Sequence, residues 1–181
     1  MNKPLLFATA FILSASTVFA ADWKFCLLPE PMGKDDSTVV LFDAQSIQTN
    51  KGMVKVWTKD ILEKDVYKMV DNPGLKQKVD KIVNSGYVPP YAEVYNIPKD
   101  QHVGYILYEI AGNDSDIPYL SKILWVFNCI DRQFRYLSVS EYDHNGTLKS
   151  TKSTPSEWRD IPPETNAETI MNLACQKVST K

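Results

Sequence analysis

The chain lacks most of the residue patterns on which catalytic and metal chemistry rests. Only two histidines, His102 and His144, occur in 181 residues. There is no His-x-His and no Cys-x-x-Cys, so the spacings that seat a metal ion are missing. No Gly-x-Ser-x-Gly elbow occurs, and neither histidine stands in a stretch that suggests a paired Ser or Cys nucleophile. No basic cluster is longer than two residues and the formal net charge is −2, which leaves no electrostatic footprint for nucleic acid. The apolar run at the N-terminus is shorter than the roughly 20 residues a bilayer crossing needs, and no later run comes close. These absences point to a protein with no cofactor, no metal, no nucleic-acid partner, no transmembrane segment and no catalytic residues. An enzyme with an unrecognised site ranks last.

Acidic groupings have ordinary explanations. Asp35-Asp36 and the pair Asp114 and Asp116 stand in polar, loop-like stretches where charges are solvated. Glu141 to Gly146 resembles the start of a calcium loop, but its twelfth position is Lys152, where a bidentate Glu is needed. His144 and His102 read as solvated residues, one in a turn and one in a polar lead into a strand. Asn113-Asp114-Ser115 and Asn145-Gly146-Thr147 both fit the glycosylation acceptor pattern.

The N-terminus carries one charge at Lys3, an apolar run from Pro4 to Leu13, and then Val18-Phe19-Ala20. This is the three-part order of a secretory signal peptide, with small residues at −3 and −1 if cleavage follows Ala20. The expectation is a signal over 1–20 and a single exported domain over 21–181, in the periplasm or at the cell surface. Cys26 stands behind Asp22-Trp23-Lys24-Phe25 rather than at the cleavage point, which disfavours a lipid anchor. Cys26, Cys129 and Cys175 all lie in the mature part. An oxidising compartment lets them pair, and three cysteines allow three single bridges.

Along the chain, Asp22 to Pro29 alternates as a half-buried strand, and the runs Thr38 to Asp43 and Met53 to Thr58 read as further strands of a meander, the third preceded by the turn signal Asn50-Lys51-Gly52. Ile61 to Val70 and Leu75 to Val83 have helical spacing, so 60–101 reads as a helical insertion ending in a Pro-rich loop. Val103 to Ile110, Tyr119 to Cys129 and Gln133 to Tyr142 are β-like. In the middle run, Ile123, Trp125, Phe127 and Cys129 share one face. Asn145-Gly146 signals a hairpin, followed by a Ser/Thr/Lys-rich linker. A last helix begins at a capping box of Thr165 and Glu168, with Ala167, Ile170, Met171, Ala174 and Cys175 on one face. The sum is an α+β domain: a twisted antiparallel sheet of about six strands, a C-terminal helix on one face, and the helical insertion.

Aromatic residues are plentiful. Trp23, Trp57 and Trp125 lie on strands and read as core. Tyr87, Tyr91 and Tyr95 flank Pro89-Pro90, whose rings bar regular pairing, and they are the candidate partner-binding residues. Two readings stay open for them: exposed anchors, or rings folded back over the sheet.

Leu124 to Cys129, Arg132-Gln133-Phe134-Arg135, Tyr142 to Gly146, Trp158 to Pro163 and Cys175 together resemble the surface-adhesin protein E-like family of bacterial exported proteins. Phe42 to Ile47 and Val54 to Trp57 are similar to that family's N-terminal strands. The resemblance does not take in 60–101. It implies a C-terminal helix tied across an antiparallel sheet by a Cys129–Cys175 disulfide, leaving Cys26 free. It also implies attachment to a protein partner. The functional expectation is a non-enzymatic exported binding domain, with adhesion to a host or matrix macromolecule as its most specific form. The alternative is a periplasmic module that packs on another envelope protein.

Overall fold

The computed structural model describes residues 21–27 and 37–179. The signal segment 1–20 and the pair Asp35-Asp36 lie outside the described residues. The chain builds one antiparallel sheet from β1 (Trp23–Leu27), β2 (Thr38–Asp43), β3 (Gln48–Asn50), β4 (Met53–Leu62), β5 (Tyr119–Asn128), β6 (Gln133–Tyr142), β7 (Leu148–Lys152) and β8 (Arg159–Asp160). The strand order is β1-β2-β4-β5-β6-β7, with β3 added on β4 and β8 on β6. The helices are α1 (Glu63–Val70), α2 (Pro73–Asn84), α3 (Pro90–Val94), α4 (His102–Gly112) and α5 (Asn166–Ser179).

Local chemistry sets the turns. Lys51 and Gly52 have φ of 47° and 80°, the two positive values that a tight hairpin matched to strand twist requires. Gly146, with φ of 77°, closes the β6–β7 hairpin, where Gly146 N–H donates to the Asp143 carbonyl. At α5, Thr165 Oγ1 accepts from the Glu168 amide at 3.3 Å, as a capping box should. The returning carboxylate takes the Glu164 amide at 2.8 Å, one residue upstream of the expected position.

The two sheet faces are covered differently. Under one face, α5 seats Ile170, Met171 and Ala174 against Val54, Val56, Trp125 and Phe127. The disulfide joins Cys129, just past β5, to Cys175 on that helix, with 46 residues between them in sequence. Cys26 is fully buried in the same core, and burial pushes its thiol pKa up, which keeps it inert. On the opposite face, α1 and α4 cover Trp23, Phe25, Val39, Leu41 and Ile61. α2 lies behind, packing Leu75 and Val79 on Ile106. α4 comes so close that a Cβ on Gly112 would stand 2.8 Å from Leu41 Cδ1.

Four sequence expectations need correction. Val103 to Ile110 is helix, not strand: its valine, isoleucine and tyrosine favour β locally, but burial at His102, Ile106 and Glu109 follows the helical period, and packing on β1 and β2 decides it. His102 is accordingly no solvated lead into a strand, but a buried residue at the start of α4 whose Nε2 lies 3.0 Å from the Ile97 carbonyl. The supposed linker after Gly146 contains β7, whose five residues are all exposed, so no apolar alternation marks it and only pairing with β6 makes it a strand. Ile61 and Leu62 end β4 instead of opening α1.

Candidate binding surface at the covered sheet edge

β1 is an edge strand, and its outward main-chain groups are met by side chains of α4. The Phe25 amide donates to Glu109 Oε1 at 3.3 Å and the Trp23 amide to Asn113 Oδ1 at 3.0 Å. Asn113 Nδ2 returns a bond to the Trp23 carbonyl at 2.9 Å and holds the Glu109 carbonyl at 2.8 Å. Glu109 and Asn113 are one helical turn apart, so both fall on the face toward β1. The edge is thereby closed to strand addition. The opposite edge, β7, shows Lys149 and Lys152 to solvent instead.

Tyr87 completes this polar array, its hydroxyl donating to Glu109 Oε2 at 2.7 Å and its ring lying 4.9 Å from Lys24 Nζ. Lys24 Nζ is 3.8 Å from the Glu109 carboxylate and 3.0 Å from Asp22. An open groove of about 670 Å³ runs past Lys24, Tyr87 and Glu109 along an apolar wall of Ile82, Ile106 and Ile110. Burial is the main reason that the Glu109 carboxyl is pushed up to about 7, against the opposing pull of Tyr87 and Lys24.

The three candidate tyrosines separate by exposure. Tyr87 and Tyr91 are half-buried; Tyr91 sets its ring edge-on to Phe25 at 5.0 Å and close to Tyr105 and Tyr95 at 5.3 and 4.6 Å. Tyr95, at the end of α3, is 37 % exposed, with its ring against Tyr91 and its hydroxyl 3.5 Å from Asn172 Nδ2. Pro89 and Ala92 are buried beneath the segment and fasten it to the domain. The prolines do not merely break structure: Pro90 begins α3, at a position where a missing amide costs nothing.

Sequence reading missed Glu109, Asn113 and Lys24. Read as a strand, 103–110 puts no significance on a Glu and an Asn four residues apart; read as a helix, the same spacing places two acceptors on one face. The two acceptor asparagines also part company. Asn113 commits both amide atoms to the β1 edge, whereas Asn145 is exposed in the hairpin turn. Expression in a glycosylating cell is expected to give glycan at Asn145 and none at Asn113, read by peptide mass mapping.

The family model of surface-adhesin protein E matches residues 92–176. The match begins inside the 60–101 segment and does not extend to 42–47 or 54–57, which the resemblance had included. No curated protein and no solved structure matches the chain.

Proposed function

We propose that the mature chain is a non-enzymatic exported binding domain, an adhesin that contacts a host or matrix protein through the segment from Ser85 to Pro98. The observation that carries this reading is Tyr95, an exposed ring at the end of a short helix fastened by the buried Pro89 and Ala92. A pre-ordered aromatic loses little side-chain entropy on association. Val88, 44 % exposed, adds apolar surface on the same segment. Tyr87 and Tyr91 support the segment from within, as Tyr87 holds Glu109 and Tyr91 holds Phe25.

A pull-down of envelope and host-matrix proteins with the purified mature chain tests the proposal. Tyr95→Ala is expected to keep the melting temperature within about 2 °C and to weaken capture at least tenfold, the usual cost of truncating an interface anchor. Tyr91→Ala is expected to lower stability by about 1–2 kcal/mol through its lost ring contacts. Unchanged capture by Tyr95→Ala would remove the segment from the interface.

A periplasmic envelope module is the second reading, and Cys26 favours it over a lipid-anchored surface protein. A fully buried thiol inside β1 has no room for a lipid unless the strand leaves the sheet. Antibody labelling of intact cells separates the two: an adhesin is labelled, a periplasmic module is not.

A further inference from the structure

Among the described residues, the helices over the sheet face opposite α5 lie on β1, β2 and the α1 end of β4, with Trp57 and Tyr119 at the border of the covered cluster. On the remainder, cross-strand register places Lys55, Val126 and Arg135 in one row, Trp57 and Leu124 in the next, and Lys59 opposite Lys122 in the third. With strands about 4.8 Å apart and alternate residues about 6.7 Å apart, Lys55 and Arg135 stand at two corners of a patch roughly 10 by 13 Å, and Lys122 stands at the middle of its far side. Its centre is apolar. Leu124 and Val126 belong to none of the three core clusters, although Val126 is 7 % exposed.

The cations on this patch have no carboxylate partners. Among the described residues, the ion pairs are Lys24 with Asp22 and Glu109, Lys68 with Asp65, and Arg132 with Glu168. Lys122 Nζ instead stands 5.1 Å from the Trp57 ring and 5.7 Å from the Trp23 ring, and the Arg135 guanidinium lies 4.7 Å from the Trp158 ring. Arg135 Nε is buried with no hydrogen-bond partner, a donor left open where buried donors are nearly always paired. Lys59 faces Lys122 directly across the strands, a like-charge pairing that costs stability. Lys59 itself is buried and donates to the Gly112 carbonyl, so the outer charge falls to Lys122. Asp43, which acts electrostatically on the buried Lys59, accepts the amides of Asp22 and Gln45 at Oδ1.

We infer that this face is a second binding surface, distinct from the Ser85 to Pro98 segment, for an acidic protein segment with apolar side chains flanked by carboxylates. The apolar centre decides between polyanions. A sulfated polysaccharide matches the cations but offers nothing to Trp57, Leu124 and Val126, whereas an acidic amphipathic peptide matches both rim and centre.

The test is titration of the ¹⁵N-labelled mature chain with an acetylated twelve-residue peptide in which three leucines are each flanked by glutamates, followed by amide shifts. Saturable shifts confined to the neighbourhood of Lys55, Trp57, Lys122, Leu124 and Arg135 are expected. Lys122→Gln and Arg135→Gln are each expected to weaken binding about 3- to 10-fold while leaving the rest of the spectrum unchanged. Replacing the peptide's leucines by serine, or its glutamates by glutamine, is expected to abolish saturation. Three results would each overturn the inference: no shifts on this face, a heparin oligosaccharide binding there as tightly as the peptide, or the same shifts on raising protein concentration alone, which would make a second copy the occupant.

Discussion

Replacing Cys129 and Cys175 together by serine is expected to lower the stability of residues 21–181 by about 4 kcal/mol, the chain-entropy value for a loop of 46 residues. For a chain of this size the melting temperature falls by roughly 8–16 °C. The bridge ties β5 to α5, and α5 supplies one wall of the core that contains Trp125 and Phe127. Losing the tether therefore frees a whole layer, not a surface loop. The cysteine left in the variant, Cys26, is fully buried and its burial disfavours the thiolate, so no substitute bridge forms in the folded state. Thermal unfolding by circular dichroism measures the change. A loss below about 1 kcal/mol would mean that α5 holds its place by packing alone.

A second large effect belongs to Glu109. Its folded pKa of about 7 lies above the ordinary carboxyl value of 4.5, chiefly because it is buried. The folded state therefore keeps a proton that the unfolded chain has released. The stability this provides is fully present below about pH 4.5 and is lost as pH rises to about 7 and beyond. Glu109→Gln retains an acceptor for the Phe25 amide and removes the titration. Between pH 5 and pH 8 the stability of the variant relative to the parent is expected to move in the variant's favour by about 2 kcal/mol. Urea unfolding at a series of pH values gives the curves. Parallel curves for the two proteins would show that Glu109 does not titrate in this range.

The α+β class and most of the sheet were legible because the apolar runs of β2, β4, β5 and β6 and the apolar stripe on α5 are strong local signals. The capping box and the hairpin at Asn145-Gly146 were legible for local reasons, since each depends on residues a few positions apart. What sequence could not show is where long-range packing overrides propensity. α4 is written in strand-favouring residues and is helical because it lies across β1 and β2 with Gly112 against Leu41. β7 has no buried face at all, and pairing alone defines it. The candidate tyrosines illustrate the same limit at the site. Their clustering around Pro89-Pro90 singled out a segment, but only the fold shows that Tyr87 bonds Glu109, that Tyr91 packs on Phe25, and that Tyr95 is 37 % exposed. The basic patch was invisible for another reason: Lys55, Lys122 and Arg135 are distant in sequence and meet only through strand register.

The most direct test of the binding-domain reading is an equilibrium isotherm of residues 21–181 on a panel of immobilised matrix proteins at physiological salt, run beside Tyr95→Ala. The account predicts saturable binding to at least one protein and a dissociation constant at least tenfold weaker for Tyr95→Ala, with melting temperatures that agree within about 2 °C. Absence of saturable binding across the panel, or equal isotherms for the two proteins, would contradict it.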